Sequence, residues 1–315
     1  MHPFDTVIVP TDFSEAADRA LACGLECARR GAGRLRLVHV IEPFETGPLS
    51  PLRYTPEARA LGATPEDVVG ELLAEALRRH DLDGVEVEPV VLKRGPVAEA
   101  LLRLAGSLDE AGPFVVGRNR HRGLLRRRRV GSTTEALVRR SDRPVVVVPA
   151  PESTAEAPPL AVRRLVLAED FSPAAEQAVQ PARTWAAALG VPLTLLHVAE
   201  HRHMVVTYDT GLFMIETVAP DPDLVARVPA ALEQLFENAG GPDVPARFLV
   251  REGEDVAREL VAATEPGDLL ALARTRRERS ERAGPGSVLE KVLRRADGPV
   301  VVFPYQPDPP SPADE

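Results

Sequence analysis

Pro10-Thr11-Asp12-Phe13-Ser14-Glu15-Ala16-Ala17 recurs 158 residues later as Ala168-Glu169-Asp170-Phe171-Ser172-Pro173-Ala174-Ala175. The motifs that follow recur in the same order, since Leu37-Val38-His39-Val40 matches Leu195-Leu196-His197-Val198. Residues 131–149 then match residues 286–304 at 11 of 19 positions. A chance motif would not hold its spacing across half a chain, so the pattern indicates a duplicated domain. We therefore predict two domains, each with a core of its own.

The length of 315 residues fits this duplication, because one domain usually takes about 150 residues. A polar, proline-rich stretch without an apolar period separates the two halves and predicts a linker. The final residues share that composition and predict a tail. The expected organisation is a first domain at 1–149, a linker at 150–161, a second domain at 162–305 and a tail at 306–315.

Short β-rich runs alternate with amphipathic helical patterns in both halves. The run from Thr6 to Pro10 is apolar and bounded by turn residues, as a buried strand would be. Ser14 then supplies an N-cap hydroxyl to a helical pattern. The alternation predicts an α/β fold with a doubly wound parallel sheet in each half. Ligands of such sheets bind beyond the carboxyl ends of the strands, where the winding reverses.

The bulk composition narrows the class of partner. A net charge of −9 argues against a general nucleic-acid binder, which needs a basic field. No apolar run approaches the roughly 18 residues of a membrane span, so we expect no membrane partner and a cytoplasmic location. Cys23 and Cys27 lie four residues apart, and no other cysteine completes a metal set. We expect both to pack in the core, and we predict no metal site.

The recurring motifs resemble the universal stress protein (UspA-like) family. The residues that carry the resemblance are Pro10-Thr11-Asp12-Phe13-Ser14, Leu37-Val38-His39-Val40, and Gly131-Ser132-Thr133-Thr134-Glu135 ahead of Pro144-Val145-Val146-Val147-Val148-Pro149. Their order, spacing and duplication extend the resemblance over nearly the whole chain, as in a tandem universal stress protein. The resemblance implies a five-stranded parallel sheet of strand order 3-2-1-4-5 in each half.

The resemblance also implies a partner for the last strand of each half. Val145–Val148 and Val300–Phe303 would pair across a pseudo-twofold axis that relates the two domains. An apolar edge strand left unpaired would favour aggregation, which gives this pairing a physical motive. A homodimer of the whole chain is a further alternative that the sequence leaves open.

ATP-binding members of the family carry G-x2-G-x9-G-[ST] after the fourth strand. The glycines let backbone N–H groups approach the phosphates, and the last glycine opens a helix whose N-terminus favours anions. In the first half Arg120 replaces the second glycine, and the segment is one residue longer than the family pattern. The nucleotide-binding positions that the resemblance implies in this half are Pro10, Thr11, Asp12, Val40, Gly117, Arg120, Gly131 and Ser132.

The second half departs further from that pattern. Ala273 and Arg276 stand where the first two glycines belong, so only the Gly-Ser helix start is intact. Pro285 removes one more N–H donor. The weaker site that the resemblance implies here comprises Asp170, Val198, Ala273, Gly286 and Ser287.

The arginines of the first-half loop allow two interpretations. Arg118, Arg120, Arg122 and residues 126–129 could clamp a phosphate, because guanidinium groups suit bidentate phosphate contacts. Alternatively, they form a solvated loop in a protein that no longer binds nucleotide. The leading hypothesis is a non-catalytic stress-response binding or scaffold protein with degenerate nucleotide-binding loops and no cofactor. The alternative is an ATP-binding stress sensor or weak ATPase that uses the first domain.

Overall fold

A computed structural model describes residues 2–41, 64–93, 95–108, 112–118, 130–150, 161–207, 213–275 and 287–306, with side chains for all of these except 202–216. The chain divides into two compact units, Met1–Ala161 and Val162–Glu315. Most of the predicted linker, 151–160, and most of the predicted tail, 307–315, lie outside the described residues.

The first unit is a five-stranded parallel sheet with helices between its strands. Its elements in chain order are β1 (Thr6–Pro10), α1 (Glu15–Arg29), β2 (Arg34–Ile41), α2 (Pro65–Arg78), β3 (Glu86–Lys93), α3 (Val97–Gly106), β4 (Phe114–Arg118), α4 (Ser132–Arg140) and β5 (Val145–Pro149). The spatial order is β5-β4-β1-β2-β3, with parallel neighbours throughout. This arrangement confirms the predicted strand order 3-2-1-4-5.

The second unit repeats this sheet and adds a hairpin. Its elements are β6 (Arg164–Ala168), α5 (Pro173–Leu189), β7 (Leu193–Glu200), β8 (Arg202–Thr207), β9 (Phe213–Val218), α6 (Pro222–Asn238), β10 (Ala246–Gly253), α7 (Val256–Ala262), β11 (Asp268–Ala273), α8 (Val288–Arg295) and β12 (Val300–Phe303). Its main sheet runs β10-β7-β6-β11-β12, all parallel. Strands β8 and β9 form a separate antiparallel pair.

The local sequence explains why the first helix starts and packs where it does. The Ser14 hydroxyl accepts a hydrogen bond from the Ala17 backbone N–H at 3.3 Å, which caps α1. Gly24 lies against β1, where an added Cβ would come within 2.5 Å of Val9 Cγ2. Cys23 and Cys27 are both buried on this helix, as the sequence predicted. The hydrogen bond that Cys23 shares with Cys27, together with burial, raises the pKa of the Cys23 thiol.

The carboxyl ends of all five parallel strands meet at one edge of each sheet, because parallel neighbours point the same way. The central strands are buried on both faces, as Val7, Ile8 and Val9 are in β1. No helix in the described part of the chain is both long and apolar enough to span a bilayer. The turns that leave this edge carry the predicted site residues.

Candidate functional site

The turn after β1 holds Phe13 in a left-handed conformation, with φ of 61°. This conformation costs an aromatic residue roughly 1–2 kcal/mol, so the surrounding hydrogen bonds must hold it. The Phe13 backbone N–H donates to Thr11 Oγ1 at 3.0 Å, and the Ser14 N–H donates to Asp12 Oδ1 at 3.0 Å. The Thr11 N–H donates to the Val38 carbonyl at 2.8 Å, which ties the turn to β2.

His39 on the neighbouring strand β2 also holds this turn in place. Its Nδ1 donates to the Thr11 carbonyl oxygen at 2.8 Å, because a carbonyl can only accept. The Phe13 ring stacks on the imidazole with centroids 4.8 Å apart. His39 is 3% exposed, so its imidazole has a structural role at the end of the sheet.

A cavity of about 230 Å³ opens beside this turn, at the carboxyl ends of β1, β2 and β4. It brings together five of the predicted site residues, namely Pro10, Thr11, Asp12, Val40 and Gly117. The start of α4 closes one side with Thr133 and Thr134. The Thr134 hydroxyl donates to the Gly117 carbonyl at 3.3 Å and so fastens α4 to β4. The predicted Arg120 lies outside the described residues.

Gly131 is the N-cap of α4, and its backbone does not require a glycine. Its φ of −62° suits any residue. Among the described residues, the only atom within 4 Å of an added Cβ would be Thr134 Oγ1, at 3.9 Å. Gly131 and the following Ser132 are both exposed. The N-terminus of α4 therefore faces open space beside the cavity, within the part of the chain that is described.

Gly117, in contrast, is required by packing. An added Cβ would approach the carbonyl carbon and oxygen of Ala16 to 2.4 Å, so only glycine lets α1 pass this close to β4. The sequence assigned this glycine to the approach of a phosphate. The structure supplies a reason that involves no ligand, because the same residue makes room for a helix.

Arg118 corrects one part of the sequence interpretation. The sequence offered it as a phosphate clamp or as part of a solvated loop, but Arg118 is the last residue of β4 and is 2% exposed. Its counterpart Arg274 follows β11 and is 1% exposed. The linear pattern could not separate these two arginines from their neighbours. Arg122 and residues 126–129 lie outside the described residues.

The second unit repeats the strained turn with a different side chain. Phe171 has φ of 57°, and its N–H donates to Glu169 Oε1 at 2.7 Å. The Ser172 N–H donates to Asp170 Oδ1 at 3.0 Å. The His197 Nδ1 donates to the Glu169 carbonyl oxygen at 2.8 Å. Glu169 thus takes the place that Thr11 has in the first unit.

Glu169 was missed by sequence reasoning. It is 3% exposed, and its Oε2 has no hydrogen-bond partner among the residues that the structure describes. Burial raises the pKa of the Glu169 carboxyl to about 8, and the negative charges of Asp170 and Glu176 act in the same direction. The hydrogen bond from Phe171 opposes this shift. The signal in the sequence was the alignment of Glu169 with Thr11, whose hydroxyl accepts the hydrogen bond of the turn in the first unit.

The remaining residues of the weaker predicted site are placed differently from one another. Asp170 is exposed after β6, Val198 is buried in β7, and Ala273 ends β11 half-buried. The Ser287 hydroxyl accepts from the Glu290 N–H at 3.1 Å, so it caps α8. Gly286 and Arg276 lie outside the described residues.

Comparison with known proteins agrees with the doubled fold. The model of the universal stress protein family matches residues 3–149 and again residues 161–304. The chain belongs to the universal stress protein family. It carries two universal stress protein domains, and each of them has the sheet described above.

A universal stress protein of Mycolicibacterium smegmatis is 30% identical over 199 residues, which are 61% of this chain and 63% of the relative. The match thus spans less than two thirds of that relative. The crystal structure of a universal stress protein from Archaeoglobus fulgidus DSM 4304 superposes with a TM-score of 0.61 at 20% identity, covering 97% of this chain and 98% of that one.

A putative universal stress protein from Pseudomonas aeruginosa UCBPP-PA14 gives a TM-score of 0.55 at 14% identity. That match covers 95% of this chain and 93% of the other. At these identities the structural likeness shows the fold alone. The two-domain universal stress protein fold is therefore established over nearly the full chain, whereas the chemistry of the cavity must be argued from its own residues.

Proposed function

We propose that this universal stress protein acts by binding rather than by catalysis, and that the first-unit cavity is its binding site. The observation that carries the proposal is the cavity of about 230 Å³ at the carboxyl ends of β1, β2 and β4. Ligand sites of doubly wound sheets lie at this edge. Apolar walls with a few polar groups are typical of small-molecule sites, and Val38, Val40 and Val116 supply such walls.

The polar groups around the cavity support a binding role because most of them already stabilise the fold. The Thr11 hydroxyl accepts from Phe13, and the Ser14 hydroxyl accepts from Ala17. The imidazole of His39 donates to a backbone carbonyl through Nδ1. A nucleophile must be activated by a neighbouring base within hydrogen-bond reach, whereas these hydroxyls are acceptors of backbone N–H groups. Their arrangement fixes the shape of the site.

A second candidate is an ATP-binding sensor, or weak ATPase, that uses the same cavity. The start of α4 favours it, because Gly131 leaves open space in front of a helix N-terminus and no described neighbour demands a glycine there. A helix N-terminus attracts phosphate through its unpaired N–H groups and its dipole. An adenine nucleotide would place its nucleoside in the cavity and its phosphates toward Gly131 and Ser132.

The second unit supports a scaffold role in the same proposal. Leu289 replaces Thr134, and buried Glu169 replaces Thr11. The buried Glu169 carboxyl occupies the turn, and above about pH 8, where it is ionised, its charge repels a polyanion. We propose that this unit takes no part in nucleotide binding and contributes surface for protein partners.

Calorimetric titration with adenosine and with ATP and Mg²⁺ tests both candidates. Thr133→Trp would place an indole at the cavity wall, and Val288→Trp is the equivalent change in the second unit. We expect Thr133→Trp to abolish binding of either ligand and Val288→Trp to leave it within about twofold. Gly131→Trp should weaken ATP by more than tenfold while sparing adenosine, and Gly131→Ala is its matched control.

The outcomes separate the candidates. ATP turnover that Gly131→Trp lowers would establish the enzyme and contradict the non-catalytic proposal. Absence of heat with both ligands would remove the nucleotide sensor. Equal effects of Thr133→Trp and Val288→Trp would show that the first-unit cavity is not the binding site.

A further inference from the structure

A second cavity, of about 420 Å³, lies in the second unit at the opposite edge of the sheet. It is lined by residues at the amino ends of β6, β7, β10 and β11. Its volume falls within the roughly 300–1,000 Å³ that is usual for small-molecule sites. The edge where universal stress proteins are expected to bind nucleotide is the other one, so this cavity needs a separate explanation.

Thr194 on β7 lines this cavity, and its hydroxyl oxygen is buried. The residue is 1% exposed, and its Oγ1 has no hydrogen-bond partner among the residues that the structure describes. A buried hydroxyl without a partner is destabilising, so native structures usually supply one. Because Thr194 lines the cavity, a molecule bound there lies next to the residue whose hydroxyl lacks a described partner.

Arg164 on β6 is already committed to the fold. Its Nε donates to Asp268 Oδ1 at 3.1 Å, and its Nη2 donates to Asp268 Oδ2 and to the Ala263 carbonyl. The two side chains therefore neutralise each other within the cavity wall. The charge that remains for a ligand comes from other residues.

Arg247 on β10 is the group best placed to meet a ligand. It pairs in register with Thr194, and the two side chains therefore lie side by side on the same face of the sheet. Arg247 and Arg163 are exposed, and neither side chain makes a hydrogen bond or ion pair with the described residues. Among the lining residues only Glu265 opposes them, which leaves the wall with a net charge of about one positive unit.

The equivalent place in the first unit shows that the fold does not require this charge. There Arg36 on β2 pairs in register with Glu88 on β3, and Arg36 Nε lies 2.7 Å from Glu88 Oε2. In the second unit Thr194 replaces the arginine and Arg247 replaces the glutamate. A cavity opens at this place in both units, and the duplication has replaced the ion pair that lines it in the first unit with a threonine and an arginine in the second.

We propose that this amino-end cavity binds a small oxyanion, a carboxylate or a phosphate group, through Arg247 and Thr194. A guanidinium forms paired hydrogen bonds with either group, and the threonine hydroxyl donates to a further oxygen. Arg163 adds positive charge at the rim. The site is independent of the nucleotide cavity, because it lies in the other unit and at the other edge of the sheet.

The full-length protein should be titrated with inorganic phosphate and, separately, with succinate, by calorimetry at low ionic strength. We expect saturable binding of at least one of them. Arg247→Glu and Thr194→Val should each lower that affinity about tenfold or more, as the loss of a charge-assisted hydrogen bond does. Arg251→Glu is the matched control, because it makes the same charge change about 13 Å along the same exposed strand.

Thermal unfolding without added anion provides the check on folding. Thr194→Val is nearly isosteric and removes an unpartnered hydroxyl, so its melting temperature should equal or exceed that of the wild type. A preference for succinate or for phosphate would identify the class of ligand. The proposal is overturned if neither anion binds saturably, if both site variants bind like the wild type, or if Arg251→Glu weakens binding as much as Arg247→Glu.

Discussion

The two units hold the same left-handed phenylalanine with different acceptors. In the first unit a threonine hydroxyl accepts from the Phe13 N–H, whereas in the second unit the Glu169 carboxyl accepts from the Phe171 N–H. Both acceptors keep the turn and the first helix in place. The second does so by burying a titratable group. Duplication has thus preserved the hydrogen bond of the turn and changed its dependence on pH.

The same contrast appears where the first helix of each unit crosses the fourth strand. Gly117 leaves room for the backbone at Ala16, whereas the second unit carries Ala273 at the matching position. The backbone plan is common to both units, but the closeness of helix and strand is not. Substitutions at matching positions therefore measure what each copy has changed.

The largest effect is expected for Gly117→Ala. Its Cβ would lie 2.4 Å from Ala16 backbone atoms, so α1 must move, and we expect a loss of about 3 kcal/mol in the free energy of unfolding. Ala273→Gly is the matched change in the second unit and should cost about 1 kcal/mol or less. Hydrogen exchange of peptides from α1 and β4, with urea unfolding followed by circular dichroism, would measure both. Equal losses for the two variants would contradict the packing argument.

The next effect concerns the pH dependence that Glu169 introduces. Its pKa is about 8 in the folded protein against an ordinary 4.5, so the folded state binds the proton more tightly. The resulting stabilisation is complete below about pH 4.5 and is lost as the pH rises through about 8. Relative to the wild type, Glu169→Gln should gain on the order of 4 kcal/mol between pH 5 and pH 8.5.

Fluorescence of Trp185, the single tryptophan of the chain, follows unfolding of the second unit. Urea midpoints at several pH values would give the difference between wild type and Glu169→Gln. Glu233→Gln is the control, because that carboxylate is exposed on α6 of the same unit and should leave the pH profile nearly unchanged. A pH-independent difference between wild type and Glu169→Gln would show that the buried carboxyl does not titrate in this range.

The smallest effect is expected at the fourth helix of each unit. Ser287 caps α8 through its hydroxyl, whereas the matching Ser132 lies one position inside α4, whose N-cap is Gly131. Ser287→Ala should therefore cost about 1 kcal/mol, and Ser132→Ala less than about 0.5 kcal/mol. Thermal unfolding of the two variants would show the difference. A larger loss for Ser132→Ala would mean that the helix starts are alike.

The sequence predicted the fold well because the strands and helix caps are local features. The run from Thr6 to Pro10 is apolar on both faces, and Ser14 has the chemistry of an N-cap, so both elements could be placed without tertiary information. The strand order came from the family resemblance and not from these patterns. The hairpin of β8 and β9 was not predicted, because the apolar-rich stretch from Met204 to Glu216 carries no signal of which strands pair.

The site was predicted less completely, because its decisive features depend on burial. Thr11, Asp12 and Val40 do line one cavity, as strand ends in a parallel sheet should. The burial of Arg118 and Glu169 was missed, since a linear pattern treats charged residues as solvated. The reason for Gly117 was also missed, because the close approach of Ala16 exists only in three dimensions.

The left-handed conformation of Phe13 and Phe171 limits which residues either copy can accept at this position. A β-branched replacement at Phe13 or Phe171 would be a severe backbone outlier. Glycine would relax the main chain but remove the ring that lies over the neighbouring histidine. A single substitution therefore either strains the backbone further or loses the ring contact with the histidine, so both copies keep phenylalanine at this position. The strained backbone at these two phenylalanines therefore retains clear evidence of an ancestral gene duplication.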